Sequence, residues 1–353
     1  MSAPWQTGAV LGPLLSRALG SFDVAVVRLS QAWARRVAGP GPSHEERLAR
    51  LTDAIRAWAA VAPDALWAAP PVPRVRERRV RPLPGGEVVD LDWESGWVPI
   101  EPAGRDAYLS VVENRTACAR LFRHATPRPA LVCIHGYRGG VYRLEALAWQ
   151  VRWLYRLGLD VALFTLPFHS LRAPPRRRAT PLFPTSHVGR TIEALGQAVW
   201  DLRSLLGWLR SRGAPMAGVA GMSLGGHAAA LAATVEAALD YAVLFIPLGD
   251  LTDVAVEHEA LRGAEVPHQL VEAGKRALRL VRPLARAPVV PPERVLVVAA
   301  EGDRITDATT HARRLAAHFG AEMETFAGSH LLQLGRRKGF AAMARLLARR
   351  GAI

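Results

Sequence analysis

Five consecutive residues, Gly221-Met222-Ser223-Leu224-Gly225, set a hydroxyl where chemistry could occur. The short apolar run Gly218-Val219-Ala220 precedes them, and the alanine-rich run Gly226-His227-Ala228-Ala229-Ala230-Leu231 follows. A serine on such a strand-to-helix turn is thrust out at the sheet edge, and the glycines beside it leave room for the neighbouring strand and helix. Most Gly-x-Ser-x-Gly matches are turns and nothing more. A serine hydroxyl attacks only when a base takes its proton, so the rest of the chain must supply that base, an acid to orient it, and donors for an oxyanion.

The candidate base is His330, in Gly328-Ser329-His330. The candidate acid is Asp303, in Glu301-Gly302-Asp303-Arg304-Ile305-Thr306. Glu301, two residues earlier, and Asp250, just past an apolar run ending at Ile246, stand as alternatives. An aspartate in this role holds the imidazole tautomer and stabilises the imidazolium. His227 falls one turn into the helix after the serine and reads as a buttress of the pocket floor. Oxyanion donors are backbone N–H groups: Leu224 after the serine, and Tyr137 in the glycine-rich segment His135-Gly136-Tyr137-Arg138-Gly139-Gly140. His135 itself reads as an organiser of that loop. Arg138, Arg172 and Arg176 to Arg178 either recognise an anionic substrate group or form a solvated charged loop.

Each of these segments follows a predicted strand. Ala130 to Ile134 and Val295 to Ala300 are apolar runs with the length of buried parallel strands. Gly218 to Ala220 and Glu322 to Phe326 precede the serine and the histidine. Val161 to Leu166 and Tyr241 to Ile246 add two more strands. Leu144, Leu147, Val151 and Leu154 predict one helix ending at Gly158, and Ile192 to Leu209 a longer one. This alternation predicts an α/β fold with a mostly parallel sheet covered by helices on both faces. Earlier, Val75 to Val80 and Val88 to Trp93 flank Pro84-Gly85-Gly86 as a hairpin, and Thr116 to Phe122 predicts another strand.

Residues 1–70 read as an N-terminal helical extension, and 71–353 as the catalytic domain. Gly39-Pro40-Gly41-Pro42 breaks the extension, and Ser43 with Glu46 forms a capping box for a second helix. Leu48, Leu51, Ile55 and Trp58 make one face of that helix. It packs on the body of the protein, or lies on a membrane with help from Trp33, Arg35, Arg36 and Arg47. Two long connections, 167–189 and a lid insertion at about 250–292, overhang the C-terminal strand ends, where ligands of open α/β sheets bind.

Serine, then acid, then histidine is the order of the α/β-hydrolase superfamily, and residues 100–353 resemble it. The stretch Gly221 to Ala229 and the basic loop after Leu166-Pro167 resemble abhydrolase domain-containing protein eighteen and its bacterial relatives. The resemblance implies a serine hydrolase acting on a carboxylic ester through Ser223, Asp303 and His330, with a lipid ester as one candidate substrate. The same residues would serve acyl transfer to an alcohol or amine. A catalytically silent fold acting as a binding or membrane-docking module is the non-enzymatic alternative.

The composition is compatible with all of this. Of 353 residues 50% are hydrophobic, enough for a large core. The formal net charge is +14, yet only Lys275 and Lys338 among 45 basic residues are lysines, and the arginines run from end to end. No nucleic-acid-binding pattern accompanies them, so a small-molecule or lipid partner is expected rather than DNA or RNA. Cys118 and Cys133 define no disulfide framework, and no cysteine–histidine spacing implies zinc; no cofactor or metal is expected. The apolar stretch Ala9 to Leu19 is interrupted by Gly12-Pro13 and Arg17, so neither a signal peptide nor a membrane span is expected. Cytoplasmic residence follows, with peripheral membrane contact as the alternative. Nothing in the sequence speaks to oligomeric state.

Overall fold

The computed structural model describes residues 8–38, 41–178, 180–261 and 263–353; several side chains of the first helix, Trp33 and Arg35 among them, also lie outside the described set. The chain opens with helices α1 (Gly8–Ala38) and α2 (His44–Ala59). Strands β1 (Arg76–Leu83) and β2 (Gly86–Glu94) follow, then α3 (Arg105–Leu109), β3 (Thr116–His124) and β4 (Ala130–Ile134). Next come α4 (Tyr142–Ala148), α5 (Val151–Arg156), β5 (Asp160–Phe164), α6 (Val188–Ser211), β6 (Ala217–Met222) and α7 (Leu224–Ala233). The last third holds β7 (Ala242–Phe245), α8 (Leu251–Ala260), α9 (His268–Ala277), β8 (Val295–Ala300), α10 (Arg314–Phe319), β9 (Glu322–Phe326) and α11 (Arg337–Arg349).

The nine strands form one sheet in the order β1-β2-β3-β5-β4-β6-β7-β8-β9. β1, β2 and β3 pair antiparallel, as does β3 with β5, and every later pairing is parallel. Alternation along each central strand divides the core. Ala130, Val132 and Ile134 of β4 lie on the side of the sheet that carries α6, α7 and Leu315 of α10, while Leu131 and Cys133 lie on the side of Trp149, Leu154 and the α11 residues Phe340 and Met343. Both faces are thus covered, as the continuous apolar runs predict.

The expected single helix across Leu144 to Leu154 is two. Gln150 takes a left-handed conformation, φ 51°, between α4 and α5. The break turns Leu144 and Leu147 outward, to 63% and 72% exposure, and Tyr142 and Trp149 fill the core instead. α2 begins with both halves of the Ser43–Glu46 capping box and packs along α9, burying Trp58. The insertion between β7 and β8 consists of α8, α9 and short 3-10 turns. Among the described residues, no helix is long and apolar enough to cross a membrane.

A buried polar network fixes the segment after β5. Arg172 and Asp201 are both 0% exposed and pair at 2.7 Å. Asp201 Oδ1 accepts from Ser95 Oγ–H at 2.6 Å, and Arg172 donates to the carbonyls of Thr165 and Asn114. Removing one partner of such a pair leaves an uncompensated buried charge. Asp201→Ala is expected to lower stability by about 3–5 kcal/mol, measured by urea denaturation; an unshifted midpoint would show the pair to be dispensable.

Candidate active site

Ser223 stands between β6 and α7 with φ 56° and ψ −114°, a strained conformation for a residue with a side chain. Its N–H donates to Phe245 O at 3.0 Å, and its carbonyl accepts from Leu248 N–H at 3.2 Å, so the strand next door holds the strain in place. The flanking glycines are steric necessities: a Cβ on Gly221 would overlap the Gly225 carbonyl, and one on Gly225 the Ile134 carbonyl. The helix therefore starts in backbone contact with the strands beneath it. The hydroxyl is left projecting beyond the sheet.

The loops after β8 and β9 meet that hydroxyl. His330 Nε2 lies 3.0 Å from Ser223 Oγ, and His330 Nδ1 lies 2.8 Å from Asp303 Oδ2. Asp303 Oδ1 accepts from the backbone N–H groups of Ile305 and Thr306 at 2.9 and 2.8 Å. Thr306 Oγ1 donates to Asp303 Oδ2 at 3.0 Å and lies 3.1 Å from His330 Nδ1. Asp303 and His330 are 3% and 8% exposed. Burial disfavours the imidazolium, but the Asp303 carboxylate, with Asp23 behind it, outweighs this and raises the His330 pKa above its ordinary value.

The two alternative acids face elsewhere. Glu301 is exposed, and its carboxylate meets Ser16 Oγ. Asp250 caps α8 through Thr252 N–H and pairs with Arg282 at 2.6 Å. His227 is fully buried between the carbonyls of Leu248 and Val281, tying the elbow helix to the segment between β7 and β8.

On the other side of Ser223 runs the glycine loop. A Cβ on Gly136 would come 3.3 Å from Ser223 Cβ, so the glycine loop passes directly beside the elbow. Leu224, first residue of α7, has an N–H with no preceding helical turn to donate to. His135 is buried, accepts from Leu166 N–H at Nε2 and donates from Nδ1 to Gly136 O. Burial pushes its pKa down to about 4, and that of neighbouring His169 to about 3, so both rings stay neutral and serve to hold the loop.

The fold and these motifs match known proteins. The family described as Alpha/beta hydrolase domain containing 18 matches residues 122–255, a span with the glycine loop and elbow that ends before Asp303 and His330. An acetyl xylan esterase from Paenibacillus sp. R4 superposes with a TM-score of 0.57 at 18% identity, over 84% of this chain and 94% of that one. Acetyl xylan esterase 1 from Thermoanaerobacterium sp. JW/SL YS485 gives 0.54 at 14% identity, over 88% and 95%. This chain has the α/β-hydrolase fold. An uncharacterised protein of Mycobacterium tuberculosis is 33% identical over 269 residues; the match spans 74% of this chain and 64% of that protein's length.

The site opens on a cavity of about 510 Å³ that reaches Ser223 and Leu224. Both long connections wall it, through Pro184 and Val188 on one side and Leu251, Leu270, Val271 and Leu278 on the other. α2 adds Arg47, Arg50 and Leu51, a contribution from the N-terminal helices that the sequence did not reveal. Arg47 pairs with Glu259 at 3.3 Å. Of the arginines singled out in the sequence, Arg172 is no ligand for an anionic substrate, being buried against Asp201, whereas Arg138 and Arg176 to Arg178 are exposed. A second cleft at the opposite strand ends contains Arg123, His124 and Asp160, but these are engaged, Arg123 with Glu77 and Glu87 and His124 with Asp160. Among the described residues, no cluster of three or more His, Cys, Asp or Glu could hold a metal.

Because the crossing of α7 over β4 and β6 tolerates no added atom, Gly225→Ala is expected to destabilise the protein by about 3 kcal/mol. Calorimetry measures this, and an unchanged melting temperature would show that the helix can lift away without cost.

Proposed function

We propose that this protein is a serine hydrolase that cleaves carboxylic esters through an acyl-enzyme. The observation that carries the reading is the continuous contact from Ser223 Oγ to His330 Nε2, 3.0 Å, and from His330 Nδ1 to Asp303 Oδ2, 2.8 Å, at the end of an apolar cavity. In this reading Ser223 Oγ attacks the ester carbonyl carbon as its proton passes to His330 Nε2. The carbonyl electron pair moves to oxygen, and the N–H groups of Leu224 and Tyr137 stabilise the resulting anion; each such donor is worth about 3 kcal/mol. Collapse breaks the bond to the alcohol, which leaves with the proton from His330. Water then repeats the sequence on the acyl-serine, releasing the acid and restoring the hydroxyl. Asp303 stays ionised throughout and keeps the proton of the resting ring on Nδ1.

The lining of the cavity supports an ester with an apolar, lipid-like part. Seven leucine and valine side chains between residues 250 and 292 line it, and Arg50 of α2, also in the lining, is exposed. A substrate with an apolar chain and an anionic end fits both features.

A fluorophosphonate probe is expected to label the wild-type protein and to leave Ser223→Ala unlabelled; persistent labelling of the variant would remove Ser223 as nucleophile. The pH profile tests the base. His330 must be neutral to accept the serine proton, and its pKa is raised from the ordinary 6.5. Protonation therefore sets in already above pH 6.5 as the pH falls. The acid limb of kcat/KM for a p-nitrophenyl ester is expected to have its midpoint above 6.5; a midpoint below that value would count against His330 as the base.

A further inference from the structure

Ser16, Gly20 and Asp23, spaced by four and three residues, share one face of α1. That face lies on the two turns that carry Asp303 and His330. Ser16 Oγ accepts from Gly328 N–H at 3.2 Å and reaches Glu301 Oε2 at 3.4 Å. A Cβ on Gly20 would come 2.6 Å from Gly302 O, and one on Gly302 would overlap the Ser16 carbonyl, so helix and acid turn touch backbone to backbone.

Asp23 itself is 0% exposed. Its Oδ1 accepts from Ser329 Oγ–H at 2.9 Å and Leu331 N–H at 3.1 Å. Its Oδ2 accepts from His330 N–H at 2.8 Å and Arg304 N–H at 3.3 Å. One carboxylate thus gathers three consecutive residues of the histidine loop and the residue after Asp303. Helix packing alone requires no carboxylate here, and burying one is unfavourable unless its lone pairs are used. All four donors come from the two loops that bring the relay together.

We propose that Asp23 is a positioning residue for His330, clamping the backbone on both sides of the imidazole to the acid turn so that the ring stays between Ser223 and Asp303. The inference rests on the reading of His330 as the base. Asp303 and Asp23 are the carboxylates that face the ring. Of the other described charged groups on the packed elements, Arg17, Arg36, Glu301 and Arg304 are exposed, Arg28 donates to Leu261 O, Asp307 accepts from Thr309 N–H, and Asp250 is tied to Arg282; the loop 328–335 carries no other titratable group.

The test uses the full chain and a p-nitrophenyl ester. Asp23→Asn is expected to lower kcat on the order of 10²-fold with KM little changed. It should also move the acid limb of kcat/KM to lower pH, because one of the two negative charges facing the imidazolium is gone. Asp23→Glu keeps the charge but not the four-donor geometry, and Ser329→Ala keeps the charge and loses one donor; both should lower kcat and leave the acid limb in place. A folded Asp23→Asn protein with wild-type kcat and an unmoved limb would overturn the proposal. Should that variant fail to fold, wild-type kcat in both Asp23→Glu and Ser329→Ala overturns it instead. Fluorophosphonate labelling of the wild type separates the failures: a labelled wild type with an indifferent Asp23→Asn sinks only the role of Asp23, and an unlabelled one sinks the hydrolase reading with it.

Discussion

Ser223 occupies a backbone conformation that a residue with a side chain adopts only under constraint, and the molecule is built around keeping it there. The constraint is steric on one side and hydrogen-bonded on the other. Gly221 and Gly225 let β6, β4 and α7 cross at backbone contact, while Phe245 and Leu248 pin the peptide groups of the serine from the neighbouring strand. Every residue of α7 is buried, so the helix cannot roll away to relieve the strain. The alanines after the elbow have a reason in this: a longer side chain would not fit between the sheet and α6.

From that fixed point, the geometry of the site becomes a matter of bringing loops to one edge. The parallel sheet aligns the C-terminal ends of β4, β6, β8 and β9, and the glycine loop, the serine, the acid turn and the histidine loop emerge side by side. Neutral, buried His135 ties the glycine loop to the strand next to it, and the Arg172–Asp201 pair anchors the segment behind. These polar groups sit where water is excluded, and apart from the Arg172 Nε–H their donors and acceptors are paired within the protein. Their number around one edge of the sheet marks where the fold spends polar contacts on precision.

The N-terminal helices belong to this edge as well. α1 lies against the acid and histidine turns through Ser16, Gly20 and Asp23, and Arg28 donates to Leu261 O at the end of α8. α2 packs along α9 and lines the cavity with Leu51, Arg47 and Arg50. A region whose sequence reads as a helical appendage is therefore in contact with both the proposed base and the cavity at Ser223.

What short-range physics decides was legible in the residues alone. Apolar runs gave buried strands, Gly221 and Gly225 marked a crossing that only glycine allows, and Ser43 with Glu46 capped a helix as their spacing requires. The order of serine, acid and histidine named the candidates. The sequence put Asp303 ahead of Glu301 and Asp250 through the likeness of its turn to that of the superfamily, but the contact of Asp303 with His330 is made by the path of a loop. It did not disclose that Asp23 meets His330 from over three hundred positions away, that Arg172 is buried against Asp201, or that Leu144 and Leu147 face outward. Those outcomes depend on which distant surfaces come together and which groups then lose their water. A local pattern specifies its own backbone, but a contact between remote residues exists only once the whole sheet has set their separation.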